Sequence, residues 1–208
     1  MSINEIIQTR RSIRKYEPTP IGDEQIEALI NAAVAAPSGC NSQCWHFTAI
    51  KSPGKIEELA LATEQGVRRV YANVADPNFL NGRIKQTTFF RKAPLVICVF
   101  LTEMNYHDPR VEEHYRAQGI SHVEMLQLMG EPDVLSIGAA VENLLLTAQE
   151  LGLGACWMND PVIAEPEIKA FLHTPDYYRL MSVIPVGYPA YTPRDKEMKP
   201  MDSVLEIL

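Results

Sequence analysis

Leu95 to Leu101 is an unbroken run of seven apolar residues, Leu-Val-Ile-Cys-Val-Phe-Leu. A strand with one face in water alternates apolar and polar side chains. An uninterrupted run therefore predicts a strand covered on both faces, in the middle of a sheet. Leu135 to Leu151 shows the other period. Ile137, Val141, Leu144, Leu145, Ala148 and Leu151 fall on one broad helical stripe, Gly152 supplies the stop, and Glu142 and Asn143 are its polar exceptions. Asp23 is placed to cap a helix running to Ala36, with Ile26, Leu29, Ile30 and Ala33 at helical spacing. Shorter patterns predict helices over Ile3–Thr9, Gly54–Ala62 and Glu165–Leu172, and strands over Phe47–Ile50, Ala155–Met158 and Met181–Val186. Strands interleaved with helices, with no internal repeat or low-complexity linker, predict one layered α/β or α+β domain over residues 1–208.

The stretch from Glu103 to Asp133 breaks the pattern. Its charges are dense, it carries Tyr106, His114, Tyr115 and His122, and its apolar residues bunch at Met125-Leu126-Gln127-Leu128-Met129. It reads either as a lid or substrate-facing excursion, or as an exposed insertion that packs on a partner subunit.

Composition narrows the function. With 208 residues and 46% hydrophobic content the chain can bury one substantial core. A formal net charge of -7 argues against a nucleic-acid binder, which carries a basic face. No stretch approaches the roughly eighteen apolar residues of a membrane span. The start, Met-Ser-Ile-Asn-Glu, has no basic region followed by an apolar run, so a cytoplasmic protein is expected. Cys40, Cys44, Cys98 and Cys156 do not form a disulfide framework for a chain of this size, and Cys98 reads as a core residue. The Cys40/Cys44 pair lacks a second pair or a nearby His, so no metal site is expected.

Against this acidic background, Arg10-Arg11-Ser12-Ile13-Arg14 stands out. Three guanidiniums in five residues repel one another unless an anion is shared among them, and Arg presents rigid donor forks that match a phosphate. A small phosphorylated ligand fits; a solvated basic turn making surface ion pairs is the alternative. A second polar segment, Pro37-Ser38-Gly39-Cys40-Asn41-Ser42-Gln43-Cys44-Trp45, offers short donors and acceptors that could line a polar ligand, or it is a hydrophilic connection ending in one core aromatic.

These two segments, with Gly138–Leu146 running into Gly152-Leu153-Gly154-Ala155-Cys156-Trp157, and with Pro185-Val186-Gly187-Tyr188-Pro189 and its basic tail, resemble the FMN-dependent nitroreductase family in order and spacing across almost the entire chain. The resemblance implies a three-layer α-β-α fold of the α+β class, with a central mixed, mainly antiparallel sheet. It implies a homodimer with FMN at the subunit interface, NAD(P)H as co-substrate and a small-molecule acceptor. Hydride would pass in and out at flavin N5 in ping-pong fashion, so the flavin rather than a side chain carries the chemistry. Carried onto this chain, Arg10, Arg14 and a tail base hold the phosphate, and Ser12 and Ser38 donate to the ribityl or pyrimidine part. Asn41 and Gln43 reach the ring edge from the opposite subunit. Arg11 and Arg14 stabilise negative charge at the pyrimidine end, and Met158 and Asn159 pack against the other face.

The sequence departs from the family at three places. Cys44 stands where many relatives have Pro. The Lys that many carry before the central strand is replaced by Thr88-Phe89-Phe90, leaving Gln86 to keep an amide contact. Met198 occupies a position where several relatives place a phosphate-binding base, so Lys196 is favoured over Arg194 and Lys199. Two alternatives accompany this reading. One is a reductive dehalogenase using Glu112, Glu113, Tyr115 and Arg116; the other is a non-catalytic FMN-binding module.

Overall fold

The computed structural model describes residues 2–106 and 108–208; His107, inside the predicted excursion, lies outside the described residues. The elements are α1 (Ile3–Thr9), α2 (Asp23–Val34), β1 (Trp45–Ile50), α3 (Pro53–Val70), α4 (Pro77–Thr87), β2 (Leu95–Leu101), α5 (Pro109–Ala117), α6 (His122–Leu128), α7 (Pro132–Glu150), β3 (Gly154–Ala155), α8 (Glu165–Leu172) and β4 (Arg179–Gly187). Among the described residues the strands form one sheet in the order β1-β2-β4-β3, antiparallel at every strand pair. The mixed character lies in one isolated parallel bridge, Ser12 to Ala155.

The apolar run of β2 is buried at all seven positions, and its alternation divides two cores. Leu95, Ile97, Val99 and Leu101 pack with Leu29 and Ala33 of α2 and with Ile137, Val141 and Leu144 of α7. Val96, Cys98 and Phe100 pack with Ile56 and Leu59 of α3 and with Ile168 of α8. Helices therefore cover both faces, giving three layers. Cys98 is a core residue, and burial pushes its thiol up to about 12.

Element boundaries moved where local chemistry is subtle. Gly22 rather than Asp23 caps α2: its N–H donates to Gln25 Oε1 at 3.2 Å, while Asp23 opens the helix and pairs with Lys51. Helix α3 runs on through Gly66, where a Cβ would lie 2.4 Å from Ala164 Cα; the missing side chain lets α3 close on the Asp160–Ala164 turn. Helix α4 was not predicted; Asp76 starts it by accepting the Asn78 N–H at 2.9 Å. The strand expected over Ala155–Met158 keeps contact with β4 beyond the regular ladder at Gly154–Ala155: Cys156 N–H donates to Pro185 O at 3.3 Å, and Met158 bridges Val183.

The 103–133 excursion folds into α5 and α6. Ser121 and Glu124 form a capping box that starts α6, and Met125 and Leu126 are buried in the same core as Leu101 and Ile137. Its second half is thus part of the main core, a role neither expectation included.

Candidate functional site

Leaving α1, the chain lies along the sheet edge as a strap. Ile13 N–H donates to Ala155 O at 3.0 Å. The Tyr16 hydroxyl is shared between Ile13 O and Pro185 O, tying the strap's turn to β4. Ile13 is buried over Gly154, where a Cβ would stand 2.7 Å from Ile13 Cβ. That contact requires glycine. Gly154→Ala is expected to lose about 1–3 kcal/mol of unfolding free energy by overpacking, read from a denaturant midpoint, and to lower ligand affinity by displacing the strap.

The strap's polar side chains face two adjoining cavities. The first, about 540 Å³, is lined by Arg10, Arg11, Ser12 and Arg14 together with Tyr191, Pro193, Arg194, Asp195 and Lys196 of the tail. The second, about 310 Å³, is lined by Arg14, Gln86, Phe89 and Cys156 to Asp160, which includes Met158 and Asn159. Arg14 belongs to both. Of the tail bases, Arg194 and Lys196 reach the wall and Lys199 does not. Eight of the eleven residues singled out from sequence therefore line one continuous site.

Their electrostatic environments differ. Arg10 is an ion pair with Glu142 of α7 at 3.5 Å, which accounts for one polar exception on the α7 stripe. Asn143, the other, donates to Ala32 O at 3.1 Å and ties α7 to α2. Arg11 is heavily engaged within the chain. It donates to Gln8 O at 2.6 Å, Arg10 O at 2.9 Å and Arg194 O at 3.3 Å, and stands 3.8 Å from Asp195, so it anchors the tail. Arg14 makes one 3.3 Å contact with Ser12 O. Burial pushes the Cys156 thiol up, while the guanidiniums of Arg14 and Arg10 and the Ser12 hydroxyl pull the other way. Both cations thus act on Cys156, in the wall of the second cavity. Asn159 donates to Met181 O at 2.9 Å and Gln86 accepts from Arg83 at 3.0 Å, leaving the carbonyl of one amide and the NH₂ of the other for a ligand.

Ser38, Asn41 and Gln43 line neither cavity. Their loop is held on the start of α7: Gly39 N–H donates to Ser136 Oγ at 3.0 Å, and Gln43 N–H donates to Ser38 Oγ at 3.0 Å. Cys40, Asn41 and Gln43 have φ of 55°, 51° and 48°, a left-handed conformation that costs free energy in a residue with a Cβ. Asn41 and Gln43 are exposed, and Gln43 Nε2 lies 3.4 Å from Asn41 Oδ1.

Sequence reasoning missed Tyr16, Ile13 with Gly154, and Ser136, which act through the backbone. The signals were present as a Tyr two residues beyond the last strap arginine and as the Gly-Leu-Gly run. Among the described residues no group of three or more His, Cys, Asp and Glu side chains is assembled to hold a metal ion. No helix among them is long and apolar enough to cross a membrane.

The donor set suits one class of ligand. Arg10, Arg11, Arg14, Arg194 and Lys196 oppose the single carboxylate of Asp195 in the first cavity, which favours a phosphate. Phe89, Trp157 and Met158, with amides from Gln86 and Asn159, suit the face and edge of a planar heteroaromatic ring.

Residues 7–188 match the sequence model of the nitroreductase family, and the chain belongs to that family. A protein of Methanothermobacter thermautotrophicus, provisionally named an NADH dehydrogenase/NAD(P)H nitroreductase, is 28% identical over 206 residues, covering 98% of this chain and 86% of the relative. Iodotyrosine deiodinase 1 of Sus scrofa is 24% identical over 208 residues, covering 97% of this chain and 66% of the relative. Among solved structures, a BluB-like flavoprotein of Clostridium difficile 630 superposes with a TM-score of 0.86 at 28% identity, covering 100% of this chain and 99% of that one. A nitroreductase with bound FMN from Bacteroides fragilis shares the fold, with a TM-score of 0.72 at 24% identity over 100% and 99% of the two chains.

Proposed function

We propose that this chain is an FMN-dependent oxidoreductase that takes hydride from NAD(P)H and delivers it to an electron-poor small molecule such as a nitroaromatic, quinone or enone. The observation that carries the reading is Arg14, which joins a cation-lined cavity to an aromatic and amide-lined one. The relative named as an NAD(P)H nitroreductase and the fold shared with an FMN-bound nitroreductase support the choice of cofactor and reductant. Bound FMN supplies a ring nitrogen, N5, that accepts and returns hydride. Arg10, Arg14 and Lys196 hold its phosphate, with Arg11 fixing the tail that carries Lys196. The free amide groups of Gln86 and Asn159 orient the ring edge, and Phe89, Trp157 and Met158 exclude water from that part of the site.

The functional unit in this reading is a homodimer. Support comes from Asn41 and Gln43, exposed on a strained loop that contributes to neither cavity of its own chain and so is available to the partner's. Support also comes from the tail beyond the site, where Met198, Met201, Val204, Leu205, Ile207 and Leu208 are all at least 53% exposed and lack cover. Asn41→Leu is expected to reduce flavin occupancy, with a cost to the flavin-free protein of only about 1 kcal/mol from placing Leu at a left-handed φ. Normal occupancy would take the loop out of the site.

The dehalogenase alternative has less support. Glu112 is engaged within its own helical excursion, accepting from Tyr106 N–H at 3.4 Å and lying 3.5 Å from His122 and 4.0 Å from Arg116. The small cavity that Glu112, Tyr115 and Arg116 line is about 80 Å³. Purified protein tests the proposal: it should show the visible absorption of flavin, lose it on anaerobic addition of NADH or NADPH, and regain it with a quinone or nitroaromatic. A flavin that neither nucleotide bleaches would contradict it.

A further inference from the structure

The site continues beyond the flavin cavities. Asn159 lines both the ring-side cavity and a third one of about 410 Å³, whose wall includes Val162, Leu180 and Met181. That cavity shares Glu165 and Arg179 with a fourth, about 870 Å³, between α8 and the start of β4. The shared walls make one groove running from Arg14 past Asn159 and Arg179 to Tyr177.

The far end of the groove has the chemistry of a nucleotide subsite. Tyr177 is 68% exposed and is braced edge-on by Tyr178, with ring centroids 4.9 Å apart, which leaves a face open for stacking. Tyr178 is itself packed against His46, with centroids 5.2 Å apart, so the platform rests on β1. Lys169 donates to Asp176 O and Tyr178 O, both at 2.6 Å; this fixes the turn and leaves one of its three N–H donors for a ligand. Arg179 opens β4, is exposed, and makes no side-chain hydrogen bond or ion pair among the described residues. Of the two carboxylates lining this end, Glu165 accepts the Leu180 N–H at 2.7 Å, and Asp176 is exposed at the rim, where it can accept from sugar hydroxyls.

An aromatic platform beside two cations with unused donors, and a carboxylate suited to ribose, selects an aromatic base linked to a diphosphate. We infer that this cavity takes the adenosine diphosphate half of the nicotinamide dinucleotide, with Tyr177 beneath the adenine and Arg179 and Lys169 on the diphosphate. The inference rests on the oxidoreductase reading above, in which the nicotinamide has to reach the flavin ring held in the ring-side cavity.

Calorimetry on the flavin-loaded protein tests it, with ADP-ribose and 2′-phospho-ADP-ribose as probes; the pair separates an NADH-type site from an NADPH-type one. Saturable binding of either is expected, weakened about ten-fold by Arg179→Glu or by Tyr177→Ala. In steady-state assays the ratio of KM for the dinucleotide to KM for reduced nicotinamide mononucleotide should rise about ten-fold in each variant. The truncated reductant controls for general damage to the flavin site. The inference is overturned if neither probe binds the wild-type protein, or if that ratio stays at its wild-type value in both variants while the mononucleotide still bleaches the flavin. If no nicotinamide nucleotide bleaches the flavin, the oxidoreductase reading fails first and this inference falls with it.

Discussion

Arg14→Ala is expected to weaken FMN binding by about 1.5–3 kcal/mol, roughly 10-fold to 150-fold in Kd, because the phosphate loses the charge-assisted hydrogen bonds of one guanidinium. Arg14 is chosen over its neighbours for physical reasons. It is the one side chain common to the two cavities, so its removal affects both the phosphate and the ring side. Among the described residues its one hydrogen bond is a long one, to Ser12 O, so a ligand meets a guanidinium with most of its donors unassigned. Arg10 is partly neutralised by Glu142, and Arg10→Ala should cost less. Arg11→Ala should act differently, freeing the tail at Arg194 and Asp195. Arg14→Lys keeps the charge but loses the planar fork and should fall between wild type and Ala. Fluorescence titration of FMN into flavin-free protein measures the series. Equal affinities for wild type and Arg14→Ala would remove the strap from the phosphate site.

Phe100→Ala is expected to cost about 3–5 kcal/mol of unfolding free energy, read from a guanidinium denaturation midpoint. Phe100 is fully buried in the central strand, in the core shared with α3 and α8. Its ring lies 6.3 Å from that of His46 and 6.2 Å from that of Tyr178. Truncation there leaves a cavity between His46 of β1 and Leu180 of β4, whose strands on both sides prevent it from closing. Saturating FMN should recover part of the lost midpoint by mass action, since ligand binds only the folded state. A loss below about 1 kcal/mol would mean that the second layer packs loosely, against the expectation for a close-packed core.

The features that were legible in the sequence are those a short window encodes. The β2 run and the α7 stripe announce themselves within a few residues, and Glu165–Leu172 was bounded correctly because its period and its breakers are both local. The strap was visible as charge density in an acidic chain. What escaped depends on contacts distant in sequence. Helix α4 is mostly exposed, with Thr87 as its buried residue, so it carries no apolar stripe to read. Strand β3 is two residues long because beyond Ala155 the chain meets β4 only at Cys156 and Met158, too sparsely for a continuous ladder. The α5–α6 excursion reads as polar until Met125 and Leu126 are seen against Leu101 and Ile137. The functions of Gly154 and Tyr16 exist only once Ile13 lies over the sheet edge, so the Gly-Leu-Gly run and the Tyr after the strap arginines mark the positions without showing what they touch.

The most direct test is a titration of FMN into flavin-free protein followed by sedimentation velocity. The account predicts saturation at one flavin per chain in a particle of two chains, with the Asn41 loop of each serving the other's site. A monomer that leaves added FMN free in solution would contradict it.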